Sequence, residues 1–208
     1  MNATNKEINI IICGTGGQGV VLVSELLGNA AVRGGVAVKG SEVLGMAQRG
    51  GSVFSNLRLG GDVISPMTPE GKCDVIIAVE PSEALRNIQY LKKNGVVVLN
   101  TTTVMPYTVF LGKSGYPTQD QIINGLKKVT DRIISMDASG LAKQAGSAQA
   151  TNVVMLGALF GTGLMPMPDQ CAKDAILGHF NAKVGAINIK AFDLGYDLVK
   201  KALAGATK

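Results

Sequence analysis

The chain begins with alternating apolar runs and glycine-rich turns, a pattern typical of a buried sheet with crossover helices. The isoleucine-rich run Ile8–Cys13 predicts a strand that is covered on both faces. The glycine loop, Gly14–Gly19, follows it and opens an apolar helix that we expect to end near Gly34. Val36–Lys39 is predicted to be the next strand, which completes a βαβ unit of ordinary length.

A different pattern, alternation of apolar and polar positions, marks Ser52–Leu59 as a half-buried strand. A glycine pair and then the apolar pair Val63-Ile64 follow directly, so we expect a hairpin here rather than another crossover helix. Further strands are predicted in the apolar runs Cys73–Val79, Val96–Asn100 and Arg132–Met136. Helices are predicted from Pro81 to Gly95, from the capping box Thr118–Gln121 to about Lys128, and over Thr151–Phe160, Pro168–Phe180 and Val184–Leu203.

Together these elements predict an α/β fold, a three-layer, Rossmann-like, mostly parallel sheet with a β-hairpin insertion and a helical C-terminal third. The sheet-rich part covers residues 1–140 and the helical part residues 141–208. A length of 208 residues suits a single domain. Hydrophobic residues make up 46% of the chain and charged residues 17%, a composition that favours a packed core over disorder.

Charge and cysteine usage narrow the function classes. The net charge of +5 comes from scattered Lys and Arg residues without interleaved aromatics, which argues against nucleic-acid binding. Cys13, Cys73 and Cys171 lie far apart, so their spacing predicts neither an iron–sulfur cluster nor a zinc site. The polar N-terminus does not resemble a signal peptide, and the apolar runs fall short of the ~20 residues that span a bilayer, so we expect a cytoplasmic protein without a membrane partner.

The glycine loop is the first candidate for chemistry, because Gly14, Gly16 and Gly19 satisfy the pattern G-x-G-x-x-G. Two alternatives stay open: a loop that binds a phosphate, and a tight strand-to-helix turn that binds nothing. A dinucleotide site also needs an acidic residue about 20 residues further on to hold a ribose hydroxyl. Glu42 is the candidate for that role, and it lies slightly beyond the predicted second strand.

The segment Ser41–Gly51 is the most unusual stretch, since an acid, an amide and an arginine lie between glycines just before a strand. Arg49 can offer two parallel donors to a phosphate or carboxylate, and Gln48 can both donate and accept. Glu42 could orient the arginine through a charge-assisted pair. The alternative is a structural Glu42–Arg49 ion pair that only pins the loop.

Five short motifs run in order through most of the chain: Gly14–Gly19, Ser41–Gly51, Ser65-Pro66 with Glu70-Gly71, Ala78–Leu85 and Asn152–Gly157. Together they resemble the gamma-type subunits of the 2-oxoacid:ferredoxin oxidoreductase family. Within that family, the sequence Gly45–Gly51 is similar to the arylpyruvate branch, whose substrate is indolepyruvate.

The resemblance implies a complex that decarboxylates an aryl 2-oxoacid on thiamine diphosphate, passes electrons through iron–sulfur clusters to ferredoxin, and releases an aryl-acyl-CoA. The sequence lacks clustered cysteines and a Gly-Asp-Gly motif with the paired asparagines that would hold thiamine diphosphate and its magnesium. The resemblance therefore implies that these cofactors belong to a larger catalytic subunit, that CoA is a substrate of the complex, and that ferredoxin meets the complex. The isolated chain is then expected to be inactive and able to form a homodimer through its open apolar surface.

The resemblance also implies ligand or interface roles, rather than catalytic ones, for two segments and one asparagine. The residues are Gly14, Gly16, Gly17, Gln18, Gly19, Glu42, Met46, Gln48, Arg49, Gly50, Gly51 and Asn152. The loop from Glu42 to Gly51 and Asn152 are expected to face the larger subunit.

Other polar residues are weaker candidates. His179 is expected to end a helix, without a neighbouring acid that would make it a general base. Asn100 and Asp137 each follow a predicted strand, where they could bind a ligand or form a turn or cap. Two other functions stay open: an independent Rossmann-type nucleotide-binding oxidoreductase, and a nucleotide-sensing or scaffold module.

Overall fold

The computed structural model describes residues 7–45, 50–61 and 63–205. Within these residues, six strands form one sheet in the spatial order β2-β3-β1-β4-β5-β6. The strands are β1 Ile8–Thr15, β2 Val38–Leu44, β3 Ser52–Leu59, β4 Cys73–Ala78, β5 Leu91–Asn100 and β6 Ile133–Met136. The α-helices are α1 Val20–Arg33, α2 Pro81–Arg86, α3 Tyr107–Phe110, α4 Gln119–Lys127, α5 Ala138–Ala145, α6 Thr151–Gly161, α7 Asp169–His179 and α8 Ala182–Gly205.

Four neighbouring strands, β1, β4, β5 and β6, run parallel and form the centre and one side of the sheet. Side chains alternate between the two faces of a strand, so Ile10 and Ile12 join the larger apolar cluster under α1 and α5–α8. Ile11 and Cys13 join a smaller cluster under α2 and α4. The predicted three-layer, mostly parallel α/β fold with a helical C-terminal region is therefore confirmed.

The hairpin was predicted at the wrong place. Strand β3 pairs with β2, from Val38 opposite Leu59 to Leu44 opposite Val53, and Val63-Ile64 lies outside the strands. β3 also pairs antiparallel with β1, so it separates β2 from the strand that precedes it in the βαβ unit. β2 runs to Leu44 instead of ending at Lys39, because an edge strand needs only one partner and can carry exposed, polar residues.

The helix predicted from Pro81 to Gly95 is shorter in the structure. α2 ends at Arg86, a short 3-10 turn covers Ile88–Tyr90, and β5 already begins at Leu91, which pairs with Cys73. The capping box of α4 is confirmed, since Gln121 N donates to Thr118 Oγ1 and Thr118 N donates to Gln121 Oε1. Among the described residues, the helices are all too short or too polar to cross a membrane.

Close packing of α6 against α8 forms the centre of the helical region. A Cβ atom on Gly157 would collide with the carbonyl oxygen of Phe192, and one on Gly195 would collide with the carbonyl oxygen of Val154. The rings of Phe160 and Phe192 pack beside this crossing with their centroids 5.6 Å apart. The two glycines therefore set the distance between the helices and, through α6, the position of Asn152.

Candidate functional site

The glycine loop lies at the edge of the sheet where the parallel strands end. β1 extends through Thr15, so Gly14 belongs to the strand and the turn itself begins at Gly16. Open α/β sheets bind ligands at this edge, outside the carboxyl ends of the strands.

Two of the glycines are required by their surroundings. At Gly14 a Cβ atom would lie 2.9 Å from Val20 Cγ2 and 3.3 Å from Val79 Cβ, so glycine here allows the end of β1 to pack closely against the start of α1 and the residue after β4. Gly19 has φ 75°, the left-handed region that favours glycine, and a Cβ there would collide with the side-chain amide of Asn152. Gln18 supports the turn from within, because its Oε1 accepts a hydrogen bond from Thr15 N at 2.7 Å.

Asn152 is brought to the glycine loop from far along the sequence. It lies in the first turn of α6 and is only 5% exposed. Its Nδ2 donates to the carbonyl oxygen of Gly19 at 3.5 Å, and its Oδ1 accepts from Val153 N at 2.9 Å. The structure thus joins two of the motifs that the sequence singled out.

The Gly45–Ser52 loop, which connects β2 to β3, is joined to the glycine loop by its backbone. Gly16 N donates to Gly51 O at 2.8 Å, and Gly50 N donates to Gly16 O at 3.2 Å. Gly45 N donates to Ser52 O at 3.0 Å and closes the base of the loop. Gly45, Gly50, Gly51 and Ser52 therefore form a fixed base at the same edge of the sheet.

The predicted site residues of this loop fall on both sides of the boundary of the described residues. Met46, Gln48 and Arg49 lie outside the described residues, and so does the proposed Glu42–Arg49 pair. Glu42 itself is exposed, near the end of β2. Because β3 lies between β2 and β1, Glu42 is two strand spacings from the glycine loop's strand, about 10 Å.

A buried acid that the sequence reasoning missed supports this loop. Glu83 of α2 is 3% exposed, and its Oε2 accepts a hydrogen bond from the Ser52 hydroxyl. Its other oxygen, Oε1, lies 3.1 Å from Arg86 Nε. Burial raises the pKa of Glu83, nearby Glu80 raises it further, and the contacts with Ser52 and Arg86 oppose the shift.

Glu80, which lies between β4 and α2, is fully buried and accepts hydrogen bonds from four uncharged donors. Its Oε2 accepts from Ser82 Oγ at 2.6 Å and Glu83 N at 3.2 Å, and its Oε1 accepts from Val104 N at 3.5 Å and from the Tyr116 hydroxyl. Burial and then Glu80 raise the pKa of the Tyr116 phenol. Glu80 thus caps α2 and holds both ends of the segment between β5 and α4. The signal for both acids was Glu-Pro-Ser-Glu directly after a buried strand.

A cavity of about 730 Å³ opens beside the glycine loop. It is lined by the glycine loop, the first turns of α1, the end of β2, the start of β3 and the end of α7. The lining residues are Thr15, Gly16, Gly17, Gly19, Val20, Val21, Leu22, Glu25, Leu44, Gly45, Val53 and His179.

His179 is one of the residues that line this cavity, and its surroundings correct one prediction. It is the last residue of α7, as expected, but it does have an acidic neighbour: its Nδ1 lies 3.5 Å from Glu25 Oε1. α7 packs against α1, so the fold brings together two residues that are far apart in sequence. The pair adds two polar side chains to a cavity whose walls are mostly apolar.

The remaining candidates have structural roles. Asn100 Nδ2 donates to Val79 O at 3.0 Å, and its Oδ1 accepts from Ala138 N at 3.1 Å. Asp137 caps α5 by accepting from Gly140 N at 2.8 Å. The turn or cap alternative is therefore the one that the structure shows for both residues.

Metal-binding clusters are not found among the described residues, since nowhere do three or more His, Cys, Asp or Glu side chains come together in a suitable group. Cys13 and Cys73 are buried at opposite ends of neighbouring strands, and Cys171 lies on α7. These three thiols do not fit the ligation of an iron–sulfur cluster.

Known proteins resemble this chain over nearly its whole length. The sequence profile of the pyruvate ferredoxin/flavodoxin oxidoreductase family matches residues 9–198. The indolepyruvate oxidoreductase subunit IorB of Archaeoglobus fulgidus is 46% identical over 191 residues, which cover 92% of this chain and 94% of that protein. The subunit of the same name from Thermococcus kodakarensis is 43% identical over 203 residues, which cover 95% of this chain and 98% of that protein.

A solved structure shows the same fold at lower sequence identity. The pyruvate oxidoreductase subunit PORC of Thermotoga maritima superposes with a TM-score of 0.69 at 23% identity, covering 93% of this chain and 97% of that one. The family predicted from the five motifs is thus confirmed by sequence. The chain belongs to the pyruvate ferredoxin/flavodoxin oxidoreductase family.

Proposed function

We propose that this chain is the small subunit of a CoA-dependent indolepyruvate:ferredoxin oxidoreductase. The relatives that are 43–46% identical to it are named as indolepyruvate oxidoreductase subunits, which supports the aryl 2-oxoacid as substrate class. A larger partner subunit supplies thiamine diphosphate, magnesium and the iron–sulfur clusters, and ferredoxin receives the electrons from the complex. This chain shapes the approach of CoA and covers the reacting centre.

The observation that carries this proposal is the start of α1, which opens into the 730 Å³ cavity without a capping side chain. The first N–H groups of a helix lack partners within the helix, and they carry partial positive charge. Gly19 cannot cap them, and the first turn of α1 contains no acidic residue. A phosphate of CoA fits such a helix start, and the apolar walls beside it fit the less polar parts of the ligand.

The cavity also contains a buried polar atom that suits this assignment. The Thr15 hydroxyl is buried and has no hydrogen-bond partner among the described residues, although Thr15 lines the cavity. Buried hydroxyls are ordinarily paired, because an unpaired one costs free energy. A ligand or an ordered water at the glycine loop would satisfy it.

The Gly45–Ser52 loop has a different task in this proposal. Glu42, Met46, Gln48 and Arg49 face the larger subunit, and Arg49 offers paired donors to a carboxylate or phosphate there. Asn152 keeps the glycine loop in place through the hydrogen bond that its buried side chain donates to the carbonyl oxygen of Gly19. The loop therefore acts on chemistry that takes place in the partner.

The alternative of an independent dinucleotide-dependent oxidoreductase is disfavoured by the position of Glu42. A ribose-binding acid belongs at the end of the strand next to β1, whereas the inserted β3 lies between β1 and the strand that carries Glu42. Calorimetric titration of the purified chain with NAD, NADP and FAD separates the two functions. We expect no tight complex, and submicromolar binding of any of the three would support the alternative.

The direct test is reconstitution of activity. The larger subunit is purified with and without this chain, and reduction of ferredoxin is measured with indolepyruvate, with pyruvate, and with CoA present or omitted. We expect CoA-dependent turnover of indolepyruvate only when both subunits are present. Equal activity of the larger subunit alone, or a preference for pyruvate, would contradict the proposal.

A further inference from the structure

We propose that Glu83 is a positioning residue that holds the base of the Gly45–Ser52 loop against the glycine loop and thereby sets how well the complex uses CoA. The inference rests on the proposed function for its link to CoA. Its structural half, that Glu83 fixes the loop base, can be tested on this chain alone.

Glu83 is placed by the short connection from β4 into α2. Pro81 begins the helix, and Glu80 caps it by accepting from Glu83 N at 3.2 Å. Arg86, which is 64% exposed, holds one carboxylate oxygen of Glu83 from the solvent side. The other oxygen is left to accept the hydroxyl of Ser52.

Ser52 transmits this contact to the site. It is the first residue of β3 and pairs in register with Thr15, the last residue of β1. Its carbonyl oxygen accepts from Gly45 N, and the preceding residue, Gly51, accepts from Gly16 N. The hydrogen bond from the Ser52 hydroxyl to Glu83 therefore fixes a residue whose backbone, with that of Gly51, connects the two ends of the loop base and joins the base to the glycine loop.

The burial of Glu83 argues for a task beyond packing. Glu80, a second buried acid, lies next to it, and Arg86 is the cation that faces it. Removing a carboxylate from water is costly, and an apolar side chain of similar size would often be tolerated equally well or better. A carboxylate does supply an acceptor that orients one specific hydroxyl, and such bonds are stronger than those between neutral groups.

The test measures CoA use by the reconstituted complex with Glu83→Ala, Ser52→Ala and both together. A hydrogen bond to a charged group is worth about tenfold in an equilibrium constant, so we expect each single variant to raise the KM for CoA about tenfold with less than a twofold change in kcat. The double variant should resemble the single ones, because both changes remove the same bond. Glu83→Gln keeps an acceptor for Ser52 and should restore the KM to within about threefold.

A matched control is Thr130→Val. The buried Thr130 hydroxyl donates to Gly95 O at 2.6 Å, near the amino ends of the parallel strands and therefore at the opposite edge of the sheet. This variant loses that bond and the one that Thr130 Oγ1 accepts from Arg132 N at 3.0 Å, and it should lower thermal stability without changing the KM for CoA. If it changes the KM as much as Ser52→Ala does, the effect is general destabilisation and the proposal is wrong.

Hydrogen exchange on the free chain separates failure of this inference from failure of the proposed function. In Ser52→Ala and Glu83→Ala the amides of Gly16 and Gly50 should exchange at least tenfold faster than in the unmodified chain, and in Thr130→Val they should not. Unchanged exchange overturns the role of Glu83 whatever the complex does. If exchange is faster but turnover of the complex does not depend on CoA, the proposed function and the link to CoA are wrong. The role of Glu83 in fixing the loop base would still be supported.

Discussion

The backbone N–H of Gly16 donates to the carbonyl oxygen of Gly51 at 2.8 Å, and this bond joins the two glycine-rich segments of the sequence. A return bond from Gly50 N to Gly16 O makes the junction two-sided. Asn152 supports it from α6, and Ser52 ties it to Glu83 on α2. Residues from four distant parts of the chain therefore define one edge of the sheet, beside the cavity where we place CoA.

Gly19→Ala should strongly destabilise the chain. A residue with a side chain pays about 1–2 kcal/mol at a positive φ, and the collision with Asn152 adds to that, so we expect about 2–4 kcal/mol in urea unfolding. Combining it with Asn152→Ala removes the collision and leaves the backbone strain. If the losses of unfolding free energy in the two single variants simply add in the double variant, Asn152 does not pack on Gly19 as described.

Gly157→Ala tests the crossing of α6 and α8. Alanine is ordinarily the better helix former by about 0.5–1 kcal/mol, but here its methyl group would collide with the backbone of Phe192, so we expect a loss of at least about 1–3 kcal/mol. Gly28→Ala in α1 is the matched control, because its nearest neighbour would be Leu57 Cδ2 at 4.0 Å. That change should raise the unfolding free energy, and a destabilising effect of similar size at both positions would refute the packing argument.

Glu83→Gln should change how stability depends on pH. The pKa of Glu83 is raised in the folded chain above 4.5, its ordinary value, so the unfolded chain ionises first as the pH rises. The raised pKa therefore adds to the free energy of unfolding of the unmodified chain. This stabilisation is complete below about pH 4.5 and is lost as the pH rises through the raised pKa of Glu83. In unfolding titrations from about pH 4 to pH 8, the stability of Glu83→Gln should increase relative to the unmodified chain. A difference that stays constant with pH would contradict the shift.

Arg49→Ala should reduce CoA-dependent turnover of the reconstituted complex while the isolated chain still folds. The expectation comes from the sequence, since a guanidinium between glycines suits a phosphate or carboxylate of the ligand or partner. Arg49→Lys keeps the charge without the paired donors, so it should restore only part of the activity. Unchanged kinetics and assembly in Arg49→Ala would exclude the role.

Local patterns predicted the parts of the fold that local chemistry decides. The run Ile8–Cys13, the glycine loop and the Thr118–Gln121 capping box each combine residues whose preferences point to one structure. The hairpin was misplaced because β2, from Val38 to Leu44, is an exposed edge strand with a glycine and two charged residues, and it lacks the apolar pattern of its neighbours.

The sequence predicted which segments form the site, but it did not predict how these segments contact one another. Gly14–Gly19, Gly45–Gly51 and Asn152 were identified from their sequence motifs, whereas the contacts between them depend on tertiary packing. The Ser52–Glu83 bond and the approach of His179 to Glu25 could not be inferred, since neither pair is close in sequence and both form only after the helices pack on the sheet.

The most direct test of the central claim is purification of the tagged chain from its native cell, followed by analysis of the associated protein, iron and thiamine diphosphate. We expect a stoichiometric complex with a larger subunit that contains thiamine diphosphate and iron–sulfur clusters and reduces ferredoxin with indolepyruvate and CoA. Recovery of the chain as a stable solitary protein, or with a partner that lacks these cofactors, would contradict it.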